Sequence, residues 1–148
     1  MANHTYQTVI DAVNAILNNE KQEAYTEKVI DRLVSFGYTP TSADVFALVF
    51  AVQKAYSHIV NETNQSTIPT GLFNFTVDRI SGEFLSVKYQ TGQLSLSGLD
   101  LSSFVQSVSE GDTSVSFGSA GSDIEKFDLL LKALLKDGDL LCYRKIRW

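Results

Sequence analysis

"FNFTVDRISGEFLSV", Phe73 to Val87, can be read in two ways. Its first five residues alternate apolar and polar, as a half-buried strand does. Over the whole stretch Phe73, Val77, Ile80, Phe84 and Val87 recur at spacings of three and four, which lines them up on one face of a helix. The longer period accounts for more residues, so the stretch is read as a helix. Gly82 sits inside it at a cost of ~1 kcal/mol relative to alanine in a helix interior.

The segments before it share the helical period. Thr5 to Leu17 spaces Val9, Ile10, Val13, Ile16 and Leu17 along one face, and "NNEK" then interrupts it. Tyr25 to Phe36 repeats the pattern with Tyr25, Val29, Leu33 and Phe36, and Gly37 suits a helix end because glycine enters the left-handed region without strain. Pro40 blocks continuation. Thr41 with Asp44 three residues on forms a capping-box pattern, with Ser42 as the competing cap. The next helix, Ala43 to Asn61, carries "DVFALVFAVQKAYSHIV". Its first half is apolar almost all round, so it is expected to be buried on several sides as the central helix.

After the polar loop "NETNQSTIPTG" and the stretch at Phe73 comes "QTGQLSLSGLDLSS", a loop with two glycines. Ser122 and Glu125 then give a second capping-box pattern. Ile124, Phe127, Leu131, Leu134 and Leu135 make one apolar stripe, Leu129 and Leu130 fall off it, and Gly138 is the expected stop. The expected fold is mainly α, a bundle of four to five helices in a single domain over residues 1–148.

One element breaks the pattern. "SVSEGDTSVSFGS", Ser107 to Ser119, alternates on both sides of Gly111-Asp112, an accepted type II′ loop. It reads as one β-hairpin near residues 104–118, with Val108, Val115 and Phe117 on one face and Ser107, Ser109, Ser114 and Ser116 on the other. A lone hairpin is marginal in water and has two open edges. Its apolar face packs on the helices of its own chain, or a second chain completes it.

Bulk properties bound the function. The chain has 148 residues, long enough to bury roughly two-thirds of its unfolded surface. A net charge of −5 with scattered acids argues against general nucleic-acid binding, which needs a basic face. Cys142 is the sole cysteine, so no intramolecular disulfide is possible and a reducing compartment is the simplest setting. "MANHTYQTVI" lacks the basic and apolar regions of a signal peptide, and the longest strongly apolar run, Val45 to Val52, is far short of the ~20 residues of a membrane span. The sequons at Asn3, Asn61, Asn64 and Asn74 carry little weight without a secretory signal.

Chemistry is sparse. The two histidines, His4 and His58, have no partner at metal-ligand spacing. No Gly-x-Ser-x-Gly elbow is present, "GSAGSD" lacks the phosphate-loop lysine, and "DGD" at Asp137 to Asp139 is a fragment of a calcium loop that suits a helix stop better. No enzymatic role, cofactor or metal is expected. The end of the chain, from about residue 140, differs: Tyr143, Arg144, Lys145, Ile146, Arg147 and Trp148 combine cations with large aromatics. Either Tyr143, Ile146 and Trp148 lie against the core while the cations reach solvent, or the segment is a docking tail, since Trp, Tyr and Arg are frequent interface anchors.

Taken in order, "IPTGLFNFTVDRISGEFL", "VSEGDTSVSFG", a leucine-rich helix and a terminal "YRKIRW" resemble the head–tail connector (adaptor, or head-completion) proteins of tailed phages and prophages of Gram-positive bacteria. The likeness covers Ile68 to Trp148, and the first sixty or so residues match only in being helical. The resemblance implies a small helical bundle with one hairpin and no catalytic residues. It implies a homo-oligomeric ring, usually twelvefold in the virion, beneath the portal protein at the head–tail interface, assembled in the host cytoplasm. Such a ring extends a channel through which double-stranded DNA passes without sequence-specific binding, and it offers a surface to a tail-side stopper or tail-completion protein. No membrane is involved. On this likeness Val108, Gly111, Asp112, Val115 and Phe117 lie in or near subunit contacts. Tyr143, Arg144, Lys145, Ile146, Arg147 and Trp148 dock on the portal or on a neighbouring subunit. The competing expectations are another phage morphogenesis factor, of the tail-completion or stopper kind, and a small soluble protein-binding module.

Overall fold

The computed structural model describes residues 5–101, 122–136 and 138–145. Helix α1 spans Gln7–Leu17 and ends at Asn18, whose φ of 46° is the left-handed turn that "NNEK" supplies. A one-turn α2, Glu20–Glu23, is capped by the Asn19 side chain, which accepts from the backbone N–H groups of Lys21 and Gln22. Helix α3, Thr26–Ser35, buries Val29, Ile30 and Leu33, with Tyr25 and Phe36 buried at its ends, and Gly37 closes it at φ 88°. A Cβ on Gly37 would also press on the backbone of Gly98 and Asp100.

The Thr41–Asp44 capping box forms around a short 3-10 turn, Ser42–Asp44, that leads into α4, Val45–Thr63. Helix α5, Phe73–Gln90, contains the whole of "FNFTVDRISGEFLSV". Its helical period wins because α5 is surrounded: α3, α4 and the last helix, α6 (Asp123–Leu134), all pack on it. Buried positions accordingly run round it, from Thr76 and Val77 through Ile80 to Leu85, and on to Lys88. The described residues are mainly helical, with five helices of ten residues or more and no strand among them. The proposed hairpin near 104–118 lies outside the described residues.

The details of α4 and α6 differ from expectation. As expected, α4 is buried on several sides, packing on α1, α2, α5 and the C-terminal segment, but it leaves Phe46 76% and Phe50 57% exposed, and α5 is the better buried of the two. By length and composition alone, Ser42–Thr63 is apolar enough to cross a membrane, yet its Leu48, Val49, Val52, Ala55 and Ile59 are core residues of the bundle. Helix α6 is rotated from its predicted stripe. Phe127, Leu130 and Leu134 are buried, while Ile124 is 61% exposed. Gly138 is not its stop, because α6 ends at Leu134 and Gly138 opens a 3-10 turn, Gly138–Tyr143.

Two polar clusters hold the helices in register. Asp44, at the start of α4, accepts from Lys88 Nζ at 2.8 Å, the Tyr38 hydroxyl at 2.8 Å and the Thr41 N–H at 3.0 Å, and Lys88 Nζ also donates to Gln93 Oε1 at 2.8 Å. Burial works against the Asp44 charge, but these donors outweigh it and hold the carboxyl below the usual carboxylate range. Burial, and then the hydrogen bond to Asp44, pushes the Tyr38 phenol above its ordinary value. In the second cluster Glu83 takes Lys54 Nζ of α4 at 3.1 Å and Arg79 Nη2 at 3.3 Å. Arg79 Nη1 reaches across to the Leu135 carbonyl at 2.7 Å, satisfying one of the orphan acceptors at the end of α6.

Candidate interaction surface

The motifs "IPTGLFNFTVDRISGEFL" and "YRKIRW" are far apart in sequence and meet in space. Asn64, left-handed at φ 53°, ends α4, and the chain returns through Ile68 and Pro69 to Gly71. There the Tyr143 ring lies so close that a Cβ on Gly71 would collide with its hydroxyl and stand 3.1 Å from Cζ. The backbone is fastened as well. Lys145 N donates to the Thr63 carbonyl at 2.8 Å, Gln65 Nε2 to the Tyr143 carbonyl at 2.6 Å, and Asn64 Nδ2 to the Lys145 carbonyl at 3.1 Å. Leu140 is buried beside Ile59 and Leu72, completing a small second core.

The consequence is electrostatic as well as steric. The backbone of Arg144 and Lys145 is held at the C-terminal end of α4, where the helix dipole is negative and favours cations. Both side chains are exposed. Tyr143 itself is partly buried, which matches the core-packing alternative for that residue, while its two neighbours present charge outward. Ile146, Arg147 and Trp148 lie outside the described residues, as do Val108, Gly111, Asp112, Val115 and Phe117 of the predicted hairpin.

Gly82 has a parallel role one helix away. A Cβ there would stand 2.8 Å from Leu135 Cδ2 and 2.9 Å from Leu134 Cβ, so the glycine is what lets α6 lie against α5. The sequence had signalled this residue as a cost inside a helical pattern and as part of a motif behind the resemblance, not as a packing contact. Gly71, Arg79 and Glu83 were missed altogether, because their partners in α4, α6 and the tail are set by tertiary packing.

Three further surface features bear on function. Phe46 and Phe50, one turn apart on the outer face of α4, are large exposed aromatics of the kind that mark contact sites. A cleft of about 460 Å³ between α3 and α5 is lined by Lys28, Asp31, Arg32, Ser35, Asn74 and Asp78. Its central cation is already engaged: Arg32 Nε pairs with Asp78 Oδ1 at 2.8 Å, and its guanidinium lies 4.7 Å from the Phe36 ring centroid. A smaller, mostly apolar groove lies between the end of α5 and the outer side of α6. Among the described residues no group of three or more His, Cys, Asp or Glu is placed to hold a metal ion. His58 is partly buried on α4, and Cys142 is exposed.

No protein-family model, curated protein or solved structure matches the chain.

Proposed function

We propose that the chain is a structural, non-enzymatic assembly protein of the head–tail connector type. It forms a homo-oligomeric ring under a phage portal, extends the DNA channel, and receives a tail-side stopper or tail-completion protein. Its place is the virion, after assembly in the host cytoplasm. The hairpin at Val108 to Phe117, with its Gly111-Asp112 turn, lies in or near the contacts between subunits. The segment Tyr143 to Trp148 carries the portal contact.

The observation that supports this reading most is the joining of the two motifs behind the resemblance. Tyr143 is seated on Gly71, and the backbone of Lys145 is fastened to the end of α4. The exposed cations Arg144 and Lys145 are thereby presented from a fixed platform, which lowers the ordering cost of docking on a partner. The exposed Phe46 and Phe50 offer apolar area for a neighbouring subunit.

The test uses Arg144→Glu with Lys145→Glu. These side chains are exposed and the fastening bonds use backbone atoms, so the fold should persist. Loss of binding to the portal protein of the same genome, with unchanged circular dichroism, is expected. Unchanged binding refutes the docking role of the tail.

A further inference from the structure

A pocket of about 290 Å³ lies where α2, the start of α3, α4 and the loop after α4 meet. It is lined by Lys21, Tyr25, Tyr56, Thr67 and Ile68. The Tyr25 and Tyr56 rings stand edge to face, with centroids 6.5 Å apart and planes at 64°, and Phe73 stacks on Tyr25 at 4.9 Å. Both tyrosines are thus fixed by aromatic packing. Tyr56 is only 9% exposed, yet its hydroxyl has no hydrogen-bond partner among the described residues. Buried phenols usually find one. Burial pushes both phenols above their ordinary value, so each keeps its proton well beyond neutral pH and acts as a donor.

We propose that this pocket binds a small aromatic carboxylate, whose carboxylate accepts from the Tyr56 hydroxyl and is held by Lys21. Three considerations select this class. The first is polarity. The lining offers two phenols, the Thr67 hydroxyl and the Lys21 ammonium, all donors, and no acidic side chain lines it although the chain carries a net charge of −5. A site of donors alone calls for an acceptor, and the exposed ammonium at its rim favours an anionic one.

The second is the amount of charge. One lysine lines the pocket, and it balances the single charge of a carboxylate. A phosphate monoester carries about two charges at neutral pH and would be left under-compensated. The third is size and shape. A dry cavity of about 150 Å³ accepts benzene, so about 290 Å³ admits a six-membered ring together with its carboxylate. Ile68 and the two tyrosine rings supply apolar wall, and rings set edge to face offer a third ring the same favoured geometry. The assignment does not depend on the assembly role proposed above.

The test titrates benzoate into the full chain by isothermal titration calorimetry, with benzyl alcohol as the uncharged analogue. Saturable binding of benzoate is expected, and much weaker binding of benzyl alcohol. Tyr56→Phe keeps the ring and removes only a hydroxyl that no described residue engages, so the fold should persist. It should weaken benzoate about tenfold or more, as loss of a hydrogen bond to a charged group does. Lys21→Gln should weaken it several-fold and remove its salt dependence. Absence of benzoate binding, equal affinity for benzyl alcohol, or unchanged affinity in either variant overturns the proposal. The unaltered chain gives an independent readout by NMR: benzoate should shift the amide signals of Thr67 and Ile68, and shifts confined to other residues overturn the site.

Discussion

Gly82→Ala sets two effects of known size against each other. Alanine gains ~1 kcal/mol over glycine in a helix interior, and α5 is helical on both sides of this position. Against that, the new Cβ would stand 2.9 Å from Leu134 Cβ and 2.8 Å from Leu135 Cδ2. Leu135 can rotate away. Leu134 Cβ cannot, because it is bonded directly to the α6 backbone, so α6 as a whole must retreat. Overpacking of this kind costs about 1–3 kcal/mol. The retreat also stretches the 2.7 Å bond from Arg79 to the Leu135 carbonyl, a charge-assisted bond of the class worth about 1.5–3 kcal/mol when lost outright. The net expectation is destabilisation by about 1–2 kcal/mol, or a fall of roughly 2–8 °C in Tm for a chain of this size. Urea denaturation measures it, with Gly98→Ala as the control, because a Cβ at Gly98 meets open space. A Gly82→Ala protein as stable as the parent, or more stable, refutes the close α5–α6 packing.

Asp44→Asn leaves the Lys88 ammonium buried without its counter-charge, and removing one partner of a buried pair costs about 3–5 kcal/mol; chemical denaturation at neutral pH reads the loss. Because the Asp44 carboxyl is held below its unfolded value of about 3.9, the folded chain takes up its proton later than the unfolded one. That share of stability is complete above about pH 4 and drains away as the pH falls through the lower folded value. Asp44→Asn should flatten this acid limb, and an unaltered limb contradicts the assignment. Gly71→Ala should displace the Tyr143 ring and speed hydrogen exchange at the Lys145 amide, which bonds to Thr63. Phe46→Ser with Phe50→Ser should leave the monomer folded, since both rings are exposed, while reducing self-association.

The parts of this fold that could be read in advance were the local ones. The helix at Phe73 followed from a period sustained over the whole stretch, and the Thr41–Asp44 box from a pattern confined to four residues. What escaped depended on distant partners. Ile124 and Leu130 exchanged places on α6 because the packing of α6 around Gly82 fixes its rotation, and no periodicity within α6 records where Gly82 lies. The exposure of Phe46 and Phe50 on α4 was not foreseen, because composition cannot say which turn of an all-apolar helix faces outward. For the tail, the choice between core packing and docking stayed open because Tyr143 meets Gly71 only in the folded chain. Among the described residues of the segment, Tyr143 is partly buried and the side chains of Arg144 and Lys145 are exposed.

The central functional claim is assembly around a portal. Electron microscopy of the purified full chain, alone and mixed with the portal protein of the same genome, tests it most directly. Closed rings of this chain stacked coaxially on the portal are expected. A chain that remains monomeric or dimeric and shows no density on the portal contradicts it.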